Sequence, residues 1–377
     1  MKSPELDRQR IMVIVYGHIA DTIAAIPGLR TLRHAYPAAR LDVLTLEPSA
    51  AILAGCPYVD ELVVWQDLRF KGSSLARLEK LGAMTSLAVR LRRRSYDAVI
   101  VFHRSFGFLR RLASASGARV IAGLDYGGDS YTHRTPRPEL PESSREENRR
   151  VLAALGLVED GGPMELWTNA AEWATAEDLT VGDPSRPLIG LHPGSDWSCQ
   201  QWLPGAFSAL GRRLQVSLGA RLVITGSASE QGLQEEIADG LFEPPIRAAG
   251  GTTLGELVAL TRRLDMMICV NSSAAAIARA VGTPAVVLLG PEDSRFTGLQ
   301  ATDRMRVIQA PTAVNAGGWC EFGRWGRLSS CESPMCRGLG GLAEVQPDRV
   351  YLTAMNLLGS TPRLAGLAHR IPQEVAT

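Results

Sequence analysis

Short β-branched runs alternate with segments of helical period along nearly the whole chain. That alternation restricts the fold to parallel α/β architecture. In the first half the runs are IMVIVY at 11–16, LDVLTL at 41–46, ELVVW at 61–65, DAVIVF at 97–102 and RVIAG at 119–123. In the second they are PLIGL at 187–191, RLVIT at 221–225, DMMICV at 265–270, PAVVLL at 284–289 and MRVIQA at 305–310. Between the first two lies a helical segment with Ile19, Ile23, Ile26, Leu29 and Leu32 at spacings of three and four. Pro27 is expected to kink it or to start a second helix. From 126 to 145 the pattern breaks into YGGDSYTHRTPRPELPESSR, read as a long surface loop, and the helix ENRRVLAALG follows. EDGGPM and the polar sequence down to DPSRP place an interdomain linker within 160–187.

A chain of 377 residues is expected to form two domains. The boundaries read here are an N-terminal Rossmann-like domain over 1–170, a C-terminal one over 171–355, and a tail over 356–377 that is a candidate to pack back on the first domain. The expected fold is α/β, two Rossmann-like domains whose parallel sheets face a central cleft, with ligands at the carboxyl ends of the strands.

Composition narrows the function classes. Apolar residues make up 45% and charged residues 21%, enough to bury sizeable cores. Forty Lys and Arg against 39 Asp and Glu leave a net charge of +1, so no bulk attraction draws the chain to nucleic acid or an anionic membrane. The opening MKSPELDRQR precedes a six-residue apolar run, which makes neither a signal peptide nor a membrane span. Six irregularly spaced cysteines read as reduced thiols, and the expected location is the cytoplasm. Neither G-x-G-x-x-G after a first strand nor G-x-x-x-x-G-K-[ST] occurs, which disfavours a dehydrogenase and a P-loop kinase or ATPase.

Four strand-to-helix junctions carry polar chemistry. Gly17-His18-Ile19-Ala20-Asp21-Thr22 follows the first strand, and Asp21 taken alone reads as a helix-start carboxylate. Leu191-His192-Pro193-Gly194-Ser195-Asp196-Trp197 opens the second domain with a Gly/Ser turn whose N–H groups suit an anion. Thr225-Gly226-Ser227-Ala228-Ser229-Glu230 puts an acid just past a strand end, where it can accept ribose hydroxyls or cap a helix. Val270-Asn271-Ser272-Ser273-Ala274-Ala275-Ala276 gives a small-residue helix start that a diphosphate can approach closely.

In their joint order and spacing these segments resemble glycosyltransferase family nine, the ADP-heptose:lipopolysaccharide heptosyltransferases of two-domain GT-B architecture. The matching residues are Ala20-Asp21 with Ile26-Pro27-Gly28-Leu29-Arg30 and Leu32-Arg33, then His192-Pro193-Gly194 and Trp202-Leu203-Pro204. Thr225, Gly226 and Glu230, and then Ala249-Gly250 with Thr252, Leu254, Glu256 and Leu257, continue the match. Val281-Gly282-Thr283-Pro284 and Gly290-Pro291-Glu292-Asp293 complete it, so that it runs from about 11 to 351.

The resemblance implies an inverting transferase that moves a heptose or related sugar from an ADP-sugar to an acceptor hydroxyl. Asp21 is the implied general base. Gly194, Ser195, Gln200, Glu230, Thr252, Asn271, Ser272, Ser273 and Ala274 are the implied donor contacts. No metal or other cofactor is implied. The expected partners are the nucleotide-sugar and an acceptor glycan, lipid-linked sugar or small molecule, not nucleic acid. The chain departs from the family pattern in two segments. Its Asp-Ser-Gly-x-x-His, which lies against donor sugar and diphosphate, reads Asn271-Ser272-Ser273-Ala274-Ala275-Ala276 here. The basic residues before the Trp-x-Pro tryptophan are Gln200 and Gln201. Arg279 and Arg295 are candidate compensating cations. These departures leave open a different nucleotide-sugar donor in secondary metabolism, or a catalytically silent nucleotide-sugar-binding subunit. Cys320, Cys331 and Cys336, spaced x10 and x4, lack the paired C-x-x-C of zinc ribbons and read first as free thiols. Trp319, Phe322 and Trp325 either line an acceptor surface or pin a loop.

Overall fold

The computed structural model describes residues 6, 9–65, 74–102, 107–125, 131–136, 138–139, 142–195, 198–290, 292, 294–310 and 341–359. Cys320, Cys331, Cys336, Trp319, Phe322 and Trp325 lie outside the described residues, as do Asp196, Trp197, Pro291 and Asp293. The chain divides into two compact units, Met1–Trp167 and Thr168–Thr377.

The first unit runs β1 (Arg10–Val15), α1 (Ile19–Ala35), β2 (Arg40–Leu46), α2 (Glu47–Ala50), β3 (Glu61–Trp65), α3 (Ser74–Arg94), β4 (Ala98–Val101), α4 (Gly107–Ala115), β5 (Val120–Asp125), β6 (His133–Pro136) and α5 (Ser144–Ala154). Its strands form one sheet in the order β3-β2-β1-β4-β5-β6, parallel at every pairing. The second unit runs α6 (Ala170–Leu179), β7 (Leu188–His192), α7 (Pro204–Leu218), β8 (Arg221–Ile224), α8 (Gln231–Asp239), β9 (Ile246–Arg247), α9 (Leu254–Arg263), β10 (Met266–Val270), α10 (Ser273–Val281), β11 (Ala285–Leu289), α11 (Ser294–Thr297), β12 (Met305–Gln309) and α12 (Pro347–Gly359). Its sheet, β12-β11-β10-β7-β8-β9, is also parallel throughout and repeats the same order from its own first strand. Every residue of β7, β10 and β11 is buried, as strands covered by helices on both faces must be.

Both units are therefore Rossmann-like, and in each the strand order reverses beside the first strand. In the first unit that switch point lies between β1 and β4, in the second between β7 and β10. The loops leaving the carboxyl ends of these strands are where open α/β sheets bind ligands.

Four local expectations change. The segment 126–145 holds the edge strand β6, and β9 is a two-residue edge strand with no apolar run to announce it. Pro27 neither breaks nor restarts α1, which runs as one helix with residues from Thr22 to Leu32 almost all buried. Asn148 of α5 donates to Ala24 O at 3.4 Å, one turn before the proline. The linker region contains α6, started by reciprocal Asn169 and Glu172 side-chain bonds. Finally, α12 continues to Gly359 and packs on α7, β11 and β12, so residues 356–359 belong to the second unit. Residues 360–377 lie outside the described residues.

Candidate functional site

Asp21 is the third residue of α1, six positions past the end of β1. Its Oδ2 accepts the His18 N–H at 2.9 Å, and its Oδ1 accepts the Ser144 hydroxyl from α5 at 2.5 Å. Gly17 makes room for it: a Cβ there would sit 2.6 Å from Asp21 Oδ2. The carboxylate thus closes the first turn of α1 on its N-cap His18, and is held in one orientation by a second donor from α5. Nothing in the sequence pointed to Ser144, which lies 123 positions away. Arg30, in the same motif, has a structural role. It pairs with Asp160 at 2.6 Å and Glu165 at 2.8 Å, and holds the Asp160 carboxyl down at about 2.

In the second unit most of the expected residues collect at the carboxyl edge of the sheet. His192 ends β7 buried, its Nδ1 2.9 Å from Thr225 Oγ1 just past β8. Burial pushes the imidazole down to about 4, so at neutral pH it is uncharged, although nearby Glu230 pulls the other way. Gly194 follows, and any Cβ there would collide with the Glu230 carboxylate. Glu230 Oε2 accepts from Ser227 N at 2.7 Å and Ser227 Oγ at 2.9 Å, closing a capping box. Capping and a half-buried acid beside a Gly turn therefore coexist at this position. The Gly194–Ser195 turn is braced by Gln201, whose Nε2 donates to Ser195 O at 2.9 Å. Thr252 belongs to the next loop and bonds Ala248 O at 3.0 Å. That loop touches the Glu230 turn, because Gly250 N donates to Gly226 O at 3.1 Å.

Ser272 is the N-cap of α10, after β10, with extended backbone and no capping bond from its side chain. By position the amides of Ser273 and Ala274 have no intrahelical acceptor, and they stand at the positive end of the helix. Asn271 Nδ2 donates to Glu292 Oε2, and Asn271 N–H donates to Leu288 O at 2.9 Å. Gln200, in the turn Ser198–Gln200, is fully buried; its Oε1 accepts the Gly290 N–H at 2.9 Å. Gln200 Nε2 and Ser272 Oγ are buried without a hydrogen-bond partner among the described residues.

Two residues proposed above as compensating cations fare differently. Arg279 lies in the last turn of α10 and donates to Gly298 O, about 9 Å along the axis from Ser273. It does not serve the helix start. Arg295 lies in α11. Other motif residues are architectural. Trp202 is buried, donates to Val345 O at 2.9 Å and stacks edge-on with Phe207, while Pro204 starts α7. Thr253 and Glu256 cap α9 reciprocally. Glu292, an acid only 4% exposed, was part of a recognised motif but was not singled out as a site residue. Among the described residues no three His, Cys, Asp or Glu gather as metal ligands, and no helix is long and apolar enough to cross a membrane.

Each unit has the parallel Rossmann-like sheet of the GT-B class of glycosyltransferases. Its solved members share the fold. A glycosyl transferase family 9 structure from Veillonella parvula DSM 2008 aligns with TM-score 0.77 at 21% identity, covering 94% of this chain and 99% of that one. Escherichia coli ADP-heptose lps heptosyltransferase II aligns with TM-score 0.69 at 21% identity, over 92% of this chain and 98% of that one. Lipopolysaccharide heptosyltransferase 3 of Escherichia coli is 28% identical over 287 residues, 73% of this chain and 82% of that protein. The pattern of glycosyltransferase family 9 (heptosyltransferase) matches residues 84–316. The chain belongs to glycosyltransferase family 9, and is a glycosyltransferase.

Proposed function

We propose that this enzyme moves a heptose or closely related sugar from an ADP-sugar to an acceptor hydroxyl in lipopolysaccharide assembly, with inversion at the anomeric carbon. Asp21 takes the proton from the acceptor oxygen as that oxygen attacks the anomeric carbon and the bond to the diphosphate breaks. The two donors on Asp21, His18 N–H and the Ser144 hydroxyl, fix the carboxylate's aim. Charge on the departing diphosphate is met by the amides of Ser273 and Ala274 and of the Gly194–Ser195 turn, so the reading calls for no metal. Glu230 receives ribose hydroxyls, and the backbone at Thr252 flanks the base.

The observation that carries the reading is the convergence of Gly194, Glu230 and the start of α10 on the carboxyl edge of one sheet, at its switch point. Names of the relatives support a heptose on ADP as the donor. The changes at Asn271, Ala276 and Gln200 keep a second donor chemistry in view. A thermal-shift panel of ADP, ADP-heptose and UDP-, GDP- and dTDP-sugars separates the two. A ligand at 100 times its Kd adds about 2.7 kcal/mol of stability. ADP-heptose and ADP are expected to raise the melting temperature and the others to leave it unchanged. A shift with another nucleotide-sugar alone would overturn the donor assignment.

A further inference from the structure

We propose that Glu292, positioned by Asn271, reads the hydroxyls of the donor's glycosyl group and sets which sugar the enzyme accepts. The inference rests on the donor site described above and adds to it the group that recognises the sugar.

Strands β10 and β11 pair in parallel with Val270 opposite Leu288, so the residues just beyond them leave the sheet side by side. Asn271 is the first residue past β10 and Glu292 the third past β11. Their side chains meet, with Asn271 Nδ2 donating to Glu292 Oε2. Glu292 is buried, and no arginine or lysine among the described residues pairs with it. A buried acid supported by one neutral amide is a poor structural device, because glutamine or an apolar residue would fill the volume without a desolvated carboxyl.

Two further polar atoms, on residues joined to this pair through the chain or a hydrogen bond, point to a ligand. Ser272 Oγ is on the adjacent residue, and Gln200 Nε2 belongs to the amide whose other end holds Gly290, two residues before Glu292. Both are buried and without a hydrogen-bond partner among the described residues. Together the acid, two amides and a hydroxyl form a set of donors and acceptors, and among the described residues no ion pair brings a cation to the acid. Such a set matches the hydroxyls of a sugar and not a phosphate, which calls for cations or helix-start amides. Those amides lie next door, at Ser273 and Ala274.

The test is calorimetric titration of the full chain with ADP and with ADP-heptose. Glu292→Ala is expected to weaken ADP-heptose about tenfold or more while leaving ADP within about twofold. Adding Asn271→Asp to that variant returns an acid to the site and is expected to recover most of the loss. Should Glu292→Ala fail to fold, Glu292→Gln preserves the volume and is expected to show the same selective loss at about threefold or more. Equal losses for ADP and ADP-heptose would mark Glu292 as structural, and an unchanged affinity for ADP-heptose would remove it from the site. Either result overturns the proposal while the wild type still binds both ligands. A wild type that binds neither ADP nor ADP-heptose would instead sink the donor assignment, and this proposal with it.

Discussion

Replacing Glu292 with glutamine should change how stability depends on pH, by an amount the structure sets. Burial raises the Glu292 carboxyl from its ordinary 4.5 to about 7, only partly offset by the bond from Asn271. The folded chain therefore holds a proton that the unfolded chain has released, and stability falls as pH rises from about 4.5 to about 7. Each pH unit of displacement is worth about 1.4 kcal/mol, so ionised Glu292 costs about 3 kcal/mol above pH 7. His192 acts in the opposite sense. Burial lowers it from 6.5 to about 4, so its contribution is present above about pH 6.5 and lost as pH falls towards 4. Between about pH 4.5 and 6.5 the two slopes cancel in the wild type, and substitution separates them. The stability difference between Glu292→Gln and wild type, from urea unfolding, should shift in favour of the variant by about 2–3 kcal/mol between pH 5 and pH 8. His192→Gln should expose the opposing slope. A stability difference that does not change with pH would refute the buried, unpaired acid, and with it the electrostatic argument for residue 292.

Gln200→Lys supplies the cation that the family pattern has at this position, yet it places a charge at a fully buried site and removes the acceptor for Gly290 N–H. The melting temperature should fall, corresponding to about 2–4 kcal/mol, and an unchanged melting temperature would show that the side chain reaches solvent. Glu230→Ala should weaken ADP by about 1.5–3 kcal/mol in titration calorimetry, while the lost capping box lowers stability by only about 0.5–2 kcal/mol. Unaltered ADP affinity would move the ribose contact elsewhere.

The two sheets were legible because most of their inner strands carry apolar runs of three or more residues, and strands buried on both faces read that way. β6, with sequence HRTP, and the two-residue β9 were not legible, because both lie at sheet edges and pair on one side only. The capping pair Asn169 and Glu172 was in plain view, but α6 has too little apolar periodicity to announce a helix inside a polar linker. Pro27 misled because α1 is buried along its length, and packing outweighs the single backbone bond that proline removes. In the site, the Gly and Ser turns and Glu230 could be read locally, since each lies within a few residues of a strand end. Ser144 on Asp21 could not, because the contact joins α5 to α1 through the tertiary fold. Glu292 sits in a recognised motif, but its burial against Asn271 depends on the pairing of β10 with β11.

Steady-state transfer from ADP-heptose by Asp21→Asn, alongside the donor affinity of the same variant, tests the central claim most directly. Asparagine keeps the size of the side chain and an oxygen for the His18 N–H, but it cannot take the acceptor's proton. Turnover should fall about 10²–10⁴-fold with the Kd for ADP-heptose nearly unchanged. Transfer at close to the wild-type rate by this variant, with donor binding intact, would contradict the assignment of Asp21 as the base.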